Sequence, residues 1–287
     1  MLPPHATTIS QQLFTHAQRF LKTCPPALYE EVAVSGSVAR GIADQYSDCE
    51  VVFWSEKLLP PDAYKTWLES LGNDVKLMRE SPDGDTALYL EYNIDGVKLG
   101  SVWQTWHSLD DMVTALDSNR LPTRETDPWM LSYVIPMGHA PRLNLYRARV
   151  RDYPDALRRN IIEARLGVWR WLIGVADVFI GEPVARRGQL YDLRRRQLMT
   201  IKDLLYMLFA YNRLWPPDTK WFGEEAARMT HKPPRLMERI DTLLTERDPY
   251  TVMSTMRDLQ VETLRILSSD FAVDNLIAGL EAILIED

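Results

Sequence analysis

The chain has 287 residues, of which 46% are apolar and 25% charged, with a formal net charge of −7. That is the mix of a globular protein with enough length for one large or two ordinary cores. It excludes a disordered chain and a fibrous repeat, and its acidity argues against general binding of nucleic-acid backbones.

The opening MLPPHATTISQQLF lacks a basic region followed by an apolar one, so no signal peptide is expected. Residues 8–23 place Ile9, Leu13, Ala17, Phe20 and Leu21 on one helical stripe. EEVAVSGS reads as a strand running into a Gly/Ser turn, and DCEVVFW as a second strand. Pro60, Pro61 and Asp62 open a helix through Leu71. Asp74–Glu80 is a third strand. ALYLEYN and VKLGSVWQTW flank Ile94-Asp95-Gly96, the pattern of a hairpin. After Ser108 the strand signals fade. Helices are predicted over 108–116, 153–173, 190–214, 235–244, 251–267 and from Asn275 onward, and Pro216-Pro217 stops the third of these. These elements suggest an α+β domain over 1–107 and a helical domain over 108–287, with the boundary somewhere in 107–150 and best placed near Pro141. No uncharged apolar run is long enough to span a bilayer, so no membrane partner is expected. Cys24 and Cys49 form neither a disulfide framework nor a zinc pattern, which makes the cytoplasm the default compartment.

The chemistry concentrates in VSGSVARGIADQYSDCEVVFW, residues 34–54. A strand ends at Gly36-Ser37, where a bare Cα lets backbone amides approach phosphate oxygens. Asp48 and Glu50 follow at a spacing of two, which puts both carboxylates on one face of a strand. Two carboxylates opposite a phosphate cradle make a Mg²⁺ site, because Mg²⁺ takes oxygen ligands and shares them with substrate phosphates.

These residues resemble the DNA polymerase β-like nucleotidyltransferases. The family pattern is an apolar residue, Gly, Gly or Ser, a spacer of about ten, then acid-apolar-acid-apolar; Ser35 departs from its first position. Gly36-Ser37, ten intervening residues and Asp48-Cys49-Glu50-Val51 fit it, and Arg40, Gly41 and Ser47-Asp48 match the common bacterial form GSxARGxxxxxSDxD. DGVKLGSVWQTWHSLDDMV resembles the third catalytic strand region. RVRDYPDALRRNII and LLYMLFAYNRLWPPDTKW, with Asn212 and Lys220, are similar to the helical domain of bacterial antibiotic nucleotidyltransferases and their relatives. The resemblance implies a polymerase β-like mixed sheet followed by an all-helical domain, with an active cleft between the two. It implies transfer of a nucleoside monophosphate from a Mg²⁺-bound NTP to a hydroxyl of a small-molecule acceptor, aminoglycoside- or lincosamide-like, with release of pyrophosphate. Gly36 and Ser37 would hold phosphates, Asp48 and Glu50 would ligate Mg²⁺, and Arg40, Ser47, Lys202 and Lys220 would assist with the nucleotide.

One departure stands out. The family's third carboxylate follows the hairpin in a DGVxVD context, and here that position is Gly100. Glu91, on the partner strand, substitutes if it faces the same side. Asp95 reads as a turn former. The alternative is a catalytically degenerate nucleotide- or partner-binding protein of the same fold.

Other candidates carry plainer readings. Residues 151–220 hold 13 Lys and Arg against 8 Asp and Glu, while the flanking segments are acidic. Arg194, Arg195 and Arg196 either face solvent and ion-pair partners or meet a triphosphate tail. Asp203 and Glu163 read as salt-bridge residues before they read as general bases. Cys49 reads as a packing residue. Trp103, Trp106, Trp215 and Trp221 fill cores or wall a cleft.

Overall fold

The computed structural model describes residues 1–71, 76–83, 86–94, 96–171 and 181–283. Its contacts divide the chain into two units, Met1–Ser118 with Pro122–Asp152, and Asn119–Leu121 with Tyr153–Asp287.

The first unit begins with helix α1 (Thr8–Thr23), capped by the Thr7 side chain, which accepts from the Ser10 amide. Its buried residues Leu13, Ala17, Phe20 and Leu21 recur at helical spacing, as the sequence predicts. Next come β1 (Glu31–Val34), the short helix α2 (Gly36–Arg40), β2 (Cys49–Ser55) and α3 (Pro61–Ser70). Strands β3 (Lys76–Asp83), β4 (Ala87–Ile94) and β5 (Val97–Thr105) follow, and then α4 (His107–Asp117), α5 (Asp127–Tyr133), β6 (Ile135–Met137) and α6 (Pro141–Arg149). The six strands lie in the order β3-β4-β5-β2-β1-β6. Only β2 and β5 run parallel; the other neighbours are antiparallel.

Period-2 alternation divides the sheet into two faces. Val51, Phe53, Leu90, Tyr92, Leu99 and Trp103 point into one core with α1 and with Tyr64, Trp67 and Leu68 of α3. Phe53 and Trp103 stack there with centroids 3.7 Å apart. Cys49 points into the same core, fully buried, and its thiol is pushed up to about 12 by burial and then by the charges of Asp48 and Glu50. Cys24 is buried as well and its thiol is also raised to about 12. Neither cysteine is disulfide-bonded. The opposite face carries Glu50, Glu91, Lys98 and Gly100. At its far end Trp54, Trp106 of the β5–α4 junction and Tyr146 of α6 stack in series.

The strand signals fade after Ser108, yet the first unit runs to Asp152, beyond residue 107 and nearer the expected boundary at Pro141. The reason is β6, which returns after two helices to pair Val32, Ala33 and Val34 of β1 with residues 135–137. A three-residue edge strand has no period for the sequence to show.

The second unit is helical: α7 (Asp155–Trp171), α8 (Gly181–Arg186), α9 (Leu190–Tyr211), α10 (Phe222–Ala227), α11 (Leu236–Thr245), α12 (Pro249–Leu267) and α13 (Asp274–Glu281). Ile201, Leu204, Leu208 and Phe209 of α9 pack against Ile240 and Leu243 of α11 and Val252, Met256 and Leu259 of α12. Among the described residues, no helix is long and apolar enough to cross a membrane. The fold is therefore α+β, a mixed sheet followed by a helical unit. Asp74 and Asp95, the end of the helix predicted to reach Ile173 and the last residues of the C-terminal helix lie outside the described residues.

Candidate functional site

Gly36 turns the chain from β1 into α2 with φ +64°, a left-handed value that favours glycine. A Cβ at Gly36 would overlap the carboxylate oxygen of Glu50. The bare Cα is therefore what lets Glu50 lie under the turn. The amide of Ser35 donates to the carbonyl of Glu50 at 2.9 Å, which locks β1 to β2 at this point. By helix geometry the amides of Gly36 and Ser37 precede the first ladder bond of α2, from Ala39 to Ser35.

The loop from Gly41 to Asp48 is tied down by α1. The Thr7 hydroxyl donates to the carbonyl of Ala43 at 2.7 Å, and the Ala43 amide donates to Ser10 Oγ at 2.9 Å. Ser47 closes a turn with Asp44, its hydroxyl donating to Oδ1 at 3.0 Å and accepting from the Asp44 amide at 3.0 Å. Ser47 thus positions Asp48 through the backbone.

Across the sheet, Glu50 of β2 stands opposite Gly100 of β5, and Gly100 stands opposite Glu91 of β4. The two glutamates flank a residue without a side chain, all three on one face. Tyr89 leans into the space over Gly100: a Cβ there would meet the Tyr89 hydroxyl at 3.0 Å. That hydroxyl donates to Glu91 Oε2 at 3.5 Å. Lys98 completes the group, its Nζ 2.7 Å from Glu91 Oε1 and 4.0 Å from Asp48 Oδ2. The hydrogen bond to Glu91 holds the Lys98 ammonium above its usual range; the charges of Glu91, Asp48 and Glu50 act in the same direction. Lys98 and Tyr89 were not singled out from the sequence. The available signal was the hairpin, which sets residue 98 two positions before Gly100 on the same face.

The structure thus brings Asp48, Glu50 and Glu91 to one face beside the Gly36 turn, and it corrects the reading of Arg40. That side chain is buried, with its guanidinium 5.2 Å from the ring centroids of both Trp129 and Tyr133. A buried guanidinium lying against both rings ties α2 to α5 and is not presented to a phosphate. Trp103 and Trp106 are each 1% exposed and belong to the core, as does the buried Trp215; none of them walls an open cleft.

Lys202 and Lys220 belong to the second unit, where Lys202 Nζ sits 5.2 Å from the Tyr206 ring and Lys220 Nζ 5.6 Å from Trp221. The arginines of that unit have partners of their own. Arg194 donates to the carbonyls of Leu243 and Glu246, closing the C-terminal end of α11. Arg195 and Arg196 both pair with Asp192. Asp203 and Glu163 pair with Arg165 and Arg170. Asp155 takes Arg158, Arg159 and Arg213, which draw its carboxyl down to about 2. Asn212 ends α9 by accepting from the amides of Thr230 and His231, each at 2.9 Å, and so holds a loop in place.

Along the same sheet face, about 13 Å from Gly100 at the strand rise of roughly 3.3 Å per residue, lies a cavity of about 220 Å³ lined by Thr86, Gln104, His107, Ser108, Arg124 and Asp127. Burial pushes the Asp127 carboxyl up to about 6, opposed by the charge of Arg124. The folded protein holds this proton more tightly than the unfolded chain does. The stability it contributes is complete below about pH 4 and is lost as pH rises through about 6. Asp127→Asn is expected to flatten that decline, with a relative gain of about 2 kcal/mol between acid and neutral pH. Urea unfolding of both proteins at about pH 4 and pH 8 checks it, and parallel profiles would refute it.

Among the described residues, no three His, Cys, Asp or Glu side chains come together as a metal-binding set. Asp48 and Glu50 nevertheless fit Mg²⁺ chemically. They are oxygen donors on one face beside a turn whose amides are free of the helix ladder, and Mg²⁺ commonly completes its shell with substrate phosphates. Glu91 is the further oxygen donor nearby, and it is engaged by Lys98.

No known family model matches the chain, and no curated protein sequence matches it. A solved nucleotidyltransferase-like protein from Exiguobacterium sibiricum 255-15 is similar at 12% identity and a TM-score of 0.41, over 95% of this chain and 78% of that one. A likeness at that distance says nothing about activity or substrate.

Proposed function

We propose that the chain transfers a nucleoside monophosphate from an NTP to a hydroxyl of a small-molecule acceptor. The observation that carries this reading is the register Glu50–Gly100–Glu91 across three adjacent strands, with Asp48 beside it and Gly36 leaving room for Glu50. The missing acid at position 100 is matched by an acid one strand over, on the same face. In this reading the amides of Gly36 and Ser37 bind the phosphate tail, and Asp48 and Glu50 would hold Mg²⁺. The ion, when bound, neutralises charge on the phosphates as the leaving group departs. The acceptor oxygen forms a bond to the α-phosphorus, the bridging bond to the β-phosphate breaks, and pyrophosphate leaves. Glu91 takes up the hydroxyl proton. An acidic first unit suits a small acceptor better than a nucleic acid, whose phosphates demand positive charge.

The second reading, a nucleotide-binding protein without transfer, is favoured by one observation: Glu91 is already paired with Lys98 at 2.7 Å. Pyrophosphate release separates the two. Wild type is expected to release it with Mg²⁺, one of the four NTPs and a member of a panel of hydroxyl acceptors that includes aminoglycosides and lincosamides. Glu91→Gln is expected to lower the rate by roughly 10²–10⁴, the scale of a positioned base. Mg²⁺-dependent NTP binding by a wild type that releases no pyrophosphate would favour the second reading.

A further inference from the structure

Lys98 is a cation set among the carboxylates of the candidate site, and neither the motif nor the proposed reaction assigns it a task. Its ammonium bonds Glu91 at 2.7 Å and lies 4.0 Å from Asp48. It stands on β5 two residues before Gly100, on the face that Glu50 and Glu91 share. Its side chain is 47% exposed, so the flexible four-carbon stem is free to swing. A divalent cation entering between Asp48 and Glu50 would meet this ammonium as a like charge, and would compete with it for Asp48.

We propose that Lys98 is a resident counter-ion that keeps divalent-cation affinity low in the nucleotide-free protein and turns to a phosphate oxygen when the nucleotide brings the metal. This rests on the reading of Asp48 and Glu50 as metal ligands. Its consequence is ordered uptake. Free metal is held weakly, and the triphosphate supplies the negative charge that releases Lys98 from Glu91. The lysine thereby makes metal binding depend on nucleotide, and it frees Glu91 to accept a proton only in the loaded site.

The test is a Mn²⁺ titration of the nucleotide-free full chain, read by the loss of the free-ion paramagnetic resonance signal. The proteins are wild type, Lys98→Gln, Lys98→Arg, Asp48→Asn and the Lys98→Gln/Asp48→Asn double variant, with circular dichroism to confirm folding. Lys98→Gln is expected to bind Mn²⁺ about tenfold or more tighter than wild type, equivalent to about 1.4 kcal/mol. Lys98→Arg, which keeps the charge, is expected to stay near wild type, and the gain should vanish in the double variant. Equal Mn²⁺ affinity in wild type and Lys98→Gln, with both weakened by Asp48→Asn, would overturn the role of Lys98 and leave the metal site standing. Binding that is indifferent to Asp48→Asn in every background would overturn the metal site, and the proposal with it.

Discussion

Gly36→Ala is expected to abolish nucleotide binding while the protein remains folded. Two independent observations combine here. The residue sits at φ +64°, where an L side chain costs roughly 1–2 kcal/mol. The added methyl would also overlap the Glu50 carboxylate. Glu50 is the softer partner, since it is a side chain at the sheet surface and the turn is fixed by the bond from the Ser35 amide to the Glu50 carbonyl. The methyl should therefore evict Glu50 from its place under the turn and block the approach of phosphate to the amides of residues 36 and 37. Calorimetric titration with Mg²⁺ and each NTP, beside a thermal melt, measures both effects. A variant that binds NTP like wild type would refute the phosphate cradle. A variant that fails to fold would show that the turn is structural first; Ser37→Ala, which leaves both amides in place, then tests whether the Ser37 hydroxyl adds a phosphate contact worth about 1–2 kcal/mol.

Asp48→Asn is expected to abolish Mg²⁺-dependent NTP binding with little change in the thermal midpoint. Asp48 is half-buried, follows the turn closed by Asp44 and Ser47, and stands at 4.0 Å from Lys98. At that distance the lysine pair is a weak ion pair near the surface, worth about 0–1 kcal/mol. Neutralising Asp48 also relieves repulsion with Glu50. The loss should thus appear in metal-dependent binding and hardly at all in stability. Undiminished binding of Mg²⁺-NTP by the variant would refute the assignment of Asp48 as a ligand. The structure also bears on Gly100→Asp. A side chain there would press on the Tyr89 hydroxyl and stand between Glu50 and Glu91, so its third carboxylate would add repulsion where two acids already face each other.

The candidate site was legible wherever it is built from neighbours in sequence. The Gly-Ser turn after β1, the shared face of Asp48 and Glu50, the inward Cys49 and the β4–β5 hairpin all follow from backbone sterics and period-2 alternation, which act over a few residues. The same is true of α1, α3, α9 and α12, whose stripes and prolines announce their starts and stops. Arg40 was misjudged because its fate depends on Trp129 and Tyr133, about ninety residues away along the chain. The pairing of β1 with β6 was invisible for the same reason, and with it the extent of the first unit.

The sequence by itself determined the two characters of the chain, strand-rich then helical, and the shared face of Asp48 and Glu50. These rest on interactions within one or two turns of backbone, which every residue meets whatever the rest of the fold does. Only the tertiary structure decided that Glu91 faces Glu50 across Gly100, that Lys98 enters the group of acids, that Tyr89 fills the space over Gly100 and that Arg40 is buried against the rings of Trp129 and Tyr133. Each of these depends on the register of strands or the packing of helices distant in sequence. A slip of one residue in the β4–β5 or β2–β5 register would turn the same side chains to the opposite face. The register is held instead by core residues on the other side of the sheet, Phe53 and Trp103 stacked at 3.7 Å among them. The acids are brought together by apolar residues that never touch them.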